Sequence, residues 1–369
     1  MVATLFAAGI MLSAATFPLP SDTTAIALDD VVVTGTRTNA DPRHLPMTIS
    51  KIAHAELAKN YRTSILPTLF EQVPGLFVTS RSMMGYGVST GAAGTIKMRG
   101  IGGMGSLLVL VDGLPQYAGL YGHPVADAYQ TMMAEKVEVL RGPASMIYGS
   151  NAMGGVVNIV TRRMQQDGSR TNVNLQGGSY GTLEATITNR FRRGRLSSVV
   201  GANYGRTDGH RTNSEFEQVS GFAKLSYDLS TNWSLSGDAN VIHFDSSNPG
   251  TVSNPLIDNN MKITRGMAAL SLTNNYTTTN GAFRAYYNWG HHNINDGYAV
   301  GGTPRTALYI HDDVMAGVSL YQSANLFAGN RTTVGFDWQL YGARHGTEPL
   351  PTELALTLPT RRLTYSVRI

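Results

Sequence analysis

Strict alternation of apolar and polar residues runs through the second half of the chain, from about residue 170 onward. Because successive side chains of a β-strand point to opposite faces, each apolar set lies on one face of a strand. The clearest sets are Leu183, Ala185 and Ile187; Val219, Leu225 and Tyr227; Trp233, Leu235 and Val241; Leu270 and Leu272; Phe283, Tyr287 and Trp289; and Phe336, Trp338 and Leu340. The pattern predicts a series of strands, each with one apolar face.

The length of these segments favours a membrane β-barrel. They run for about 10 residues or more, which is what a tilted strand needs to cross a bilayer. Tyr and Trp at the segment ends are typical of an interfacial girdle. Charged residues make up only 15% of the chain, against about 25% in soluble domains. A soluble β-sandwich is the alternative, although its strands are usually shorter, at about 5–6 residues.

The predicted connections between strands alternate in length. Short links are expected near Ser230–Thr231 and Thr278–Gly281, and long ones at Arg206–Glu215, Asp245–Met261 and Asn293–Asp312. Outer-membrane barrels show this asymmetry, with tight periplasmic turns and longer outer loops.

Net charge and cysteine content exclude several classes of function. The net charge is +4 with basic residues spread along the chain, which does not indicate a nucleic-acid partner. The densest basic run, Arg190–Arg195, is interpreted as a solvated turn between strands. The chain has no Cys, which excludes disulfides and thiolate metal sites and is compatible with an oxidising compartment.

The first residues are typical of an export signal. Val2–Ala15 is apolar and rich in small residues, has the length of a signal core, and is too short to cross a bilayer as a helix. A basic residue at its start is missing. We predict a signal peptide over residues 1–20.

A glycine motif in the middle of the chain matches a nucleotide-binding pattern only superficially. Gly100–Gly105 (GIGGMG) fits G-x-G-x-x-G, but that fingerprint requires a helix directly after the glycines. Here an apolar strand, Leu107–Val111, follows and ends in the turn Asp112-Gly113. The glycines are therefore predicted to permit tight backbone turns.

The segment Val137–Thr161 predicts a strand, a turn at Arg141-Gly142-Pro143, one helical turn over Ala144–Tyr148, and a second strand over Val156–Val160. It contains no nucleophile with an adjacent base.

Four blocks of sequence in this region resemble the plug domain of TonB-dependent outer-membrane receptors. They are LFEQVPGLFV (69–78), KMRGIG (97–102), LVLVDGLP (108–115) and the segment that runs from Glu135 to Thr161. The motif positions that match are Arg99, Gly100, Asp112, Gly113, Arg141, Gly142, Pro143, Tyr148, Gly149, Gly154, Gly155 and Asn158. The resemblance covers about 120 residues in the same order as in the family.

The segment before these blocks resembles the TonB box. Asp29–Thr38 reads DDVVVTGTRT, and an extended β-branched run on a tether can pair with a strand edge of a partner. The residues expected to couple to TonB are Asp30, Val31, Val32, Val33 and Thr34. The expected domains are a signal peptide (1–20), a TonB box and flexible arm (21–45), a plug (46–164) and the N-terminal part of a β-barrel (170–369).

The resemblance implies an α+β plug domain followed by an antiparallel transmembrane β-barrel. Family barrels have 22 strands, whereas about nine are counted here and the chain ends in Arg368-Ile369, so we expect an incomplete barrel and a fragment or truncated product. The implied function is active uptake of a scarce substrate, without catalysis and without a cofactor. The implied partners are TonB, outer-membrane lipid and an external small molecule or metal complex, and the implied location is the outer membrane.

The substrate is open at this point. Candidate substrate or metal residues are Met83, Met84, Met104 and His123, because thioether and imidazole groups bind soft and borderline metals. The amino-acid sequence of this region also resembles that of receptors associated with copper. Iron-siderophore or cobalamin uptake is an equal alternative, and Met packing in irregular gaps is the simpler interpretation. His291-His292 is predicted to lie at a loop. Two other classes remain: a structural or adhesive outer-membrane barrel without transport, and an exported soluble β-protein that binds sugar or protein.

Overall fold

The structure is a computed structural model that describes residues 48–59, 61–79, 84–85, 96–102, 106–118, 124–327, 329–350 and the backbone of 362–368. The predicted signal peptide and the predicted TonB box lie outside the described residues. None of the helices in these ranges is long and apolar enough to cross a membrane.

A small mixed region comes first in the chain. Its elements are β1 (Ile49–Ala53), α1 (His54–Lys59), α2 (Leu66–Gln72), β2 (Leu76–Val78), β3 (Ile96–Met98), β4 (Leu107–Val111), β5 (Leu114–Pro115), β6 (Ala134–Arg141), α3 (Ser145–Tyr148) and β7 (Gly155–Thr161). Five strands form one sheet in the order β1-β6-β7-β4-β5, in which only β4 and β7 run parallel, and β2 pairs with β3 in a second sheet. We call this the globular region.

Local sequence explains the central elements of the globular region. Every residue of β4 is buried, as an uninterrupted apolar run requires. Asp112 and Gly113 then have φ values of 49° and 80°, and two consecutive left-handed residues make the type I′ turn that joins tight hairpins. The predicted strand–turn–helix–strand unit over 137–161 is confirmed as β6, α3 and β7.

A single large antiparallel sheet follows. Its strands are β8 (Gly168–Gly178), β9 (Thr182–Arg193), β10 (Leu196–Thr207), β11 (Phe216–Asp228), β12 (Trp233–Ser247), β13 (Leu256–Asn275), β14 (Thr279–Ala299), β15 (Ala307–Ala324), β16 (Thr332–Pro349) and β17 (Arg362–Arg368). Each strand pairs with the next one in the chain, so that β8 and β17 are the two ends of the strand order within the described residues. The sheet therefore has ten strands, against the count of about nine from the sequence.

The two faces of the large sheet differ as the alternation predicts. Large apolar side chains on the outer face are at least one third exposed, and they include Ile187, Val200, Val219, Leu225, Tyr227, Leu235, Val241, Leu270, Phe283, Tyr287, Leu320, Phe336 and Trp338. The inner face buries polar side chains, among them Thr186, Asn203, Gln218, Asn240 and Asn288. An apolar outer face with a polar interior is the arrangement of a lipid-facing barrel wall and not of a soluble sandwich.

Strands β12 to β15 extend into two segments that were predicted to be long loops. The predicted long loops at 245–261 and 293–312 are mostly strand, because β13 begins at Leu256 and β14 continues to Ala299. Backbone pairing continues there, for example between Ile294 and Tyr309, and a hydrogen-bond ladder does not need apolar side chains. His291 and His292 consequently lie within β14, so their prediction as loop residues was wrong.

Candidate functional site

The β4–β5 hairpin of the globular region ends against the inner face of the large sheet. Lys224 Nζ of β11 lies 2.7 Å from Asp112 Oδ2. Thr161 also donates to Asp112, from its backbone N–H at 2.8 Å and from its hydroxyl at 2.5 Å. Burial alone would raise the pKa of Asp112, but Lys224 and these hydrogen bonds outweigh it and hold that pKa below its usual range. Asp112 is therefore an ionised link between the two regions.

Gly113 occupies a position that other residues cannot easily take. Its N–H donates to Asn158 Oδ1 at 3.0 Å. A Cβ at Gly113 would lie 2.9 Å from Arg284 Nη1 of β14, and its φ of 80° is unfavourable for L-residues with a side chain. The hairpin tip therefore fits closely against the inner wall.

The chain continues along the inner wall after this tip. Asn288 Nδ2 donates to the Pro115 carbonyl at 2.7 Å, and Gln116 Nε2 donates to Asn240 Oδ1 at 3.2 Å. These contacts join the globular region to β12 and β14. We call residues 112–117 the docked segment.

A buried ion pair lies at the far end of the docked segment. Arg265 of β13 donates to both carboxylate oxygens of Asp313 of β15, at 2.7 and 2.9 Å. Its Nη2 also donates to the Tyr117 carbonyl at 3.2 Å. Two histidines lie beside the pair: His292 Nε2 is 3.0 Å from Arg265 Nη1, and His311 Nε2 is 3.6 Å from Asp313 Oδ2.

Cross-strand register explains this cluster. Gly290 of β14 stands between Arg265 and Asp313 in one row across the sheet. A Cβ on Gly290 would overlap both side chains, so the glycine lets the pair form across an intervening strand. Two residues after Gly290 along β14, His292 is directly opposite His311 of β15. His311 is in turn opposite His345 of β16.

A second attachment lies near the start of the globular region. Glu184 of β9 accepts from the Thr63 N–H at 3.1 Å and from its hydroxyl at 2.5 Å. Asn203 of β10 donates to the same hydroxyl at 3.1 Å. Gln176 of β8 donates to the Tyr61 carbonyl at 2.7 Å. The inner wall thus holds the globular region from several strands.

Basic side chains dominate the end at which the globular region joins β8. Arg162 Nη2 donates to His54 Nδ1 at 2.9 Å, and burial together with Arg162 and Arg190 lowers the pKa of His54 to about 4. Asp228 of β11 pairs with Arg163 and with Arg192, the latter at 2.8 Å. Part of the basic run 190–195, predicted to be a solvated turn, therefore faces inward along β9, and only its last residues form the turn.

A small cleft opens between the globular region and strands β9 and β11. It is lined by Arg62, Thr63, Ser64, Met84, Gly85, Asp127, Glu184, Phe216 and Gln218. Met84 is 7% exposed, and Asp127 is 2% exposed. The cleft lies at the end of the sheet that carries the longer connections at 208–215 and 248–255.

Metal-binding groups were searched for among the described residues. Within these ranges no three His, Asp or Glu side chains stand ready to hold a metal ion. Of the four predicted substrate residues, Met84 lines the cleft, whereas Met83, Met104 and His123 lie outside the described residues.

The fold is that of known outer-membrane receptors. The copper transporter OprC has a TM-score of 0.71 at 14% identity, with 86% of this chain and 50% of that chain covered. The ferric yersiniabactin uptake receptor FyuA from Yersinia pestis has a TM-score of 0.68 at 16% identity, with 86% and 52% covered. At these identities the similarity concerns the fold alone.

Sequence comparison is more specific. An iron-regulated outer membrane virulence protein of Vibrio cholerae is 31% identical over 259 residues, which cover 65% of this chain and 37% of that protein. Residues 41–156 match the family model of the TonB-dependent receptor plug domain. Residues 41–156 of this chain are therefore a plug domain of the TonB-dependent receptor kind. The chain spans about half the length or less of these relatives, and its outer-membrane location agrees with the name of the Vibrio relative.

The globular region therefore contains the plug, and the large sheet has the arrangement of part of a barrel wall. The plug-motif residues sit mainly at turns or at the ends of elements. Arg99 and Gly100 follow β3, Arg141 ends β6, and Gly142 and Pro143 follow it. Tyr148 and Gly149 end α3, Gly154 precedes β7, and Gly155 begins it. Gly155 has a φ of 153°, and a Cβ there would overlap the Leu140 carbonyl. Asp112 and Gly113 form the tip of the hairpin that contacts the wall, and Asn158 of β7 accepts from the Gly113 N–H.

The wall residues that hold the plug were not found from the sequence. Lys224, Arg265 and Asp313 occupy inward positions of alternating strands, where a polar residue is ordinary. The signal that could have singled them out is charge at such positions, because an ionised group facing a barrel interior needs a partner. The identity of each partner depends on strand register.

Proposed function

We propose that this chain forms the plug and the first part of the barrel of a receptor that imports a scarce substrate across the outer membrane, driven by TonB. The observation that carries the proposal is a plug seated by polar contacts on the inner face of a sheet whose outer face is apolar. Such a plug blocks the barrel until it rearranges. We propose that TonB supplies the force by pairing with Asp30–Thr34.

We propose that the cleft between the plug and strands β9 and β11 faces the cell exterior. The long connections lie at that end, and outer-membrane barrels carry their long loops outside. Met84 would then lie where an external substrate first meets the plug. Covalent chemistry has no place in this proposal, so the receptor is a transporter and not an enzyme.

The substrate class that we propose is an iron–siderophore, cobalamin or a metal such as copper. The named relatives support the first and third of these, since they include an iron-regulated protein, a ferric yersiniabactin receptor and a copper transporter. A barrel with a structural or adhesive role is the competing function, and it would not need a coupling segment.

Deletion of Asp30–Thr34 in the complete receptor tests the proposal. We expect substrate uptake by cells to be lost while substrate binding to the cell surface stays, because the deleted run is proposed to transmit force and not to contact substrate. The matched control deletes Ser21–Ala25, another stretch of five residues in the same arm, and should retain uptake. Uptake that is unchanged by the first deletion would favour the non-transporting alternative.

A further inference from the structure

The buried cluster on the inner wall has the donor set of a metal site with a cation already in it. Asp313 supplies a carboxylate, and His292 and His311 supply imidazoles. All three are at most 4% exposed. The cation is the guanidinium of Arg265, itself 3% exposed. Histidine and carboxylate donors together suit Zn²⁺ and its late first-row neighbours.

The direction of the donors supports this comparison. Arg265 Nη1 is a donor only, so His292 Nε2, at 3.0 Å, must offer it a lone pair. Asp313 Oδ2 accepts from the same Nη1 at 2.7 Å. Two electron pairs thus converge on one nitrogen of the guanidinium, as they would on a metal ion.

Distances between the donors are close to those of a formed site. His311 Nε2 and His292 Nε2 lie 3.6 Å and 3.9 Å from Asp313 Oδ2. Ligands about 2.0–2.1 Å from a tetrahedral ion are about 3.3–3.4 Å apart. Each histidine nitrogen therefore needs to approach Asp313 Oδ2 by only about 0.2–0.6 Å to reach that spacing once the guanidinium is removed.

Arg265 is also linked to the plug. It is the residue that holds the Tyr117 carbonyl at the end of the docked segment. Movement of that segment would remove one of its hydrogen-bond partners and favour its withdrawal from the cluster.

We propose that His292, His311 and Asp313 form a binding site for a late first-row divalent metal ion, which Arg265 occupies in the plug-closed state. The role of the site in import rests on the proposed function, whereas its capacity to bind metal does not. The site would give a metal cargo a binding position on the inner wall that opens when the plug moves.

Zn²⁺ binding to the purified complete receptor in detergent tests the inference. Arg265→Met removes the guanidinium and keeps an apolar side chain of similar length. By equilibrium dialysis with metal analysis, we expect this variant to bind one Zn²⁺ per chain more than the unaltered receptor. Adding His311→Ala should abolish that gain, and Co²⁺ should give tetrahedral absorption bands in the single variant only.

Arg284→Met is the matched control. Arg284 is another inward arginine, and it lies over the Tyr321 ring at 5.7 Å. Its removal should add no Zn²⁺. Equal Zn²⁺ content in the Arg265→Met variant and the unaltered receptor would overturn the inference. So would a gain that persists after His311→Ala.

The inference can still be tested if the Arg265→Met variant fails to fold. If Arg265→Met does not fold without metal, Zn²⁺ in the folding mixture should restore it, since the ion replaces the missing counter-charge of Asp313. The double variant with His311→Ala should not be restored. Absence of any rescue would count against the site. None of these measurements depends on TonB, so they can fail while uptake and its dependence on Asp30–Thr34 remain.

Discussion

At the scale of single residues, the absence of a side chain can decide where a charge pair forms. Arg265 and Asp313 are on strands separated by β14, and they meet only because Gly290 lies between them. Both charged side chains are almost completely buried, so neither can turn to water if the pair breaks. A buried ion pair that loses its geometry costs much more than an exposed one.

Gly290→Ala should destabilise the complete receptor. The added Cβ overlaps Arg265 and Asp313 and forces them apart, at an expected cost of about 3–5 kcal/mol, as for other broken buried pairs. Denaturant unfolding of the receptor in detergent measures this cost. Gly221→Ala is the control, because a Cβ there has its nearest neighbour at 3.9 Å and should change stability little. Equal midpoints for the two variants would show that the pair tolerates the methyl group.

At the scale of elements, the two faces of each strand are built for different surroundings. On β11, Val219, Leu225 and Tyr227 point outward and are 54%, 56% and 44% exposed, while Gln218 and Ser220 face inward and are buried. Apolar exposure on this scale is stable only if lipid covers it. The alternation of apolar and polar residues was enough to predict which side chains share a face, because successive side chains of any strand point to opposite faces. The ends of the strands were not predictable, because polar side chains continue the same ladder beyond the apolar belt.

Leu225→Lys should impair insertion of the complete receptor into lipid vesicles. A charge on the lipid face costs about 2–4 kcal/mol near the middle of the bilayer and less toward the interfaces. Unfolding from vesicles in urea measures the effect. Leu225→Ala shortens the same side chain without adding charge and should cost far less. A lysine variant as stable as the alanine variant would mean that this face does not meet lipid.

At the scale of the whole molecule, one short stretch of the plug connects it to many strands of the wall. Asp112 meets β11, Gln116 meets β12, and the Tyr117 carbonyl meets β13. Thr63 adds a separate contact with β9. The plug is therefore positioned by polar contacts that are spread over several strands of the wall.

A short thiol-to-thiol cross-linker between residues 116 and 240 tests how the plug is seated. The side chains of Gln116 and Asn240 are hydrogen bonded at 3.2 Å, and the chain has no native Cys. Because these two residues meet through the ends of their side chains, the shorter Cys side chains need a reagent that spans the gap and not a direct disulfide. Gln116→Cys with Asn240→Cys should therefore be cross-linked in the complete receptor. Gln116→Cys with Val241→Cys is the control, because Val241 is 46% exposed on the outer face, and this pair should not be cross-linked. Equal cross-linking of the two pairs, or none in the first, would contradict this seating.

The sequence by itself determined the class of the protein. Alternation in the second half and the four plug blocks in the first half are local patterns, and local geometry is enough to interpret them. The plug motif residues were also readable, because glycines with positive φ and the Asp-Gly turn act within a few residues of chain. The expected ranges for the signal peptide and the TonB box stay predictions.

Only the tertiary structure decided which polar side chains meet. Asp112 and Lys224 are 112 residues apart, and Arg265 and Asp313 are 48 apart. Each is an ordinary polar residue on the inward face of its own segment, or at the tip of its own hairpin. Strand register and the seating of the plug bring them together, and both depend on contacts between distant parts of the chain that no local pattern encodes.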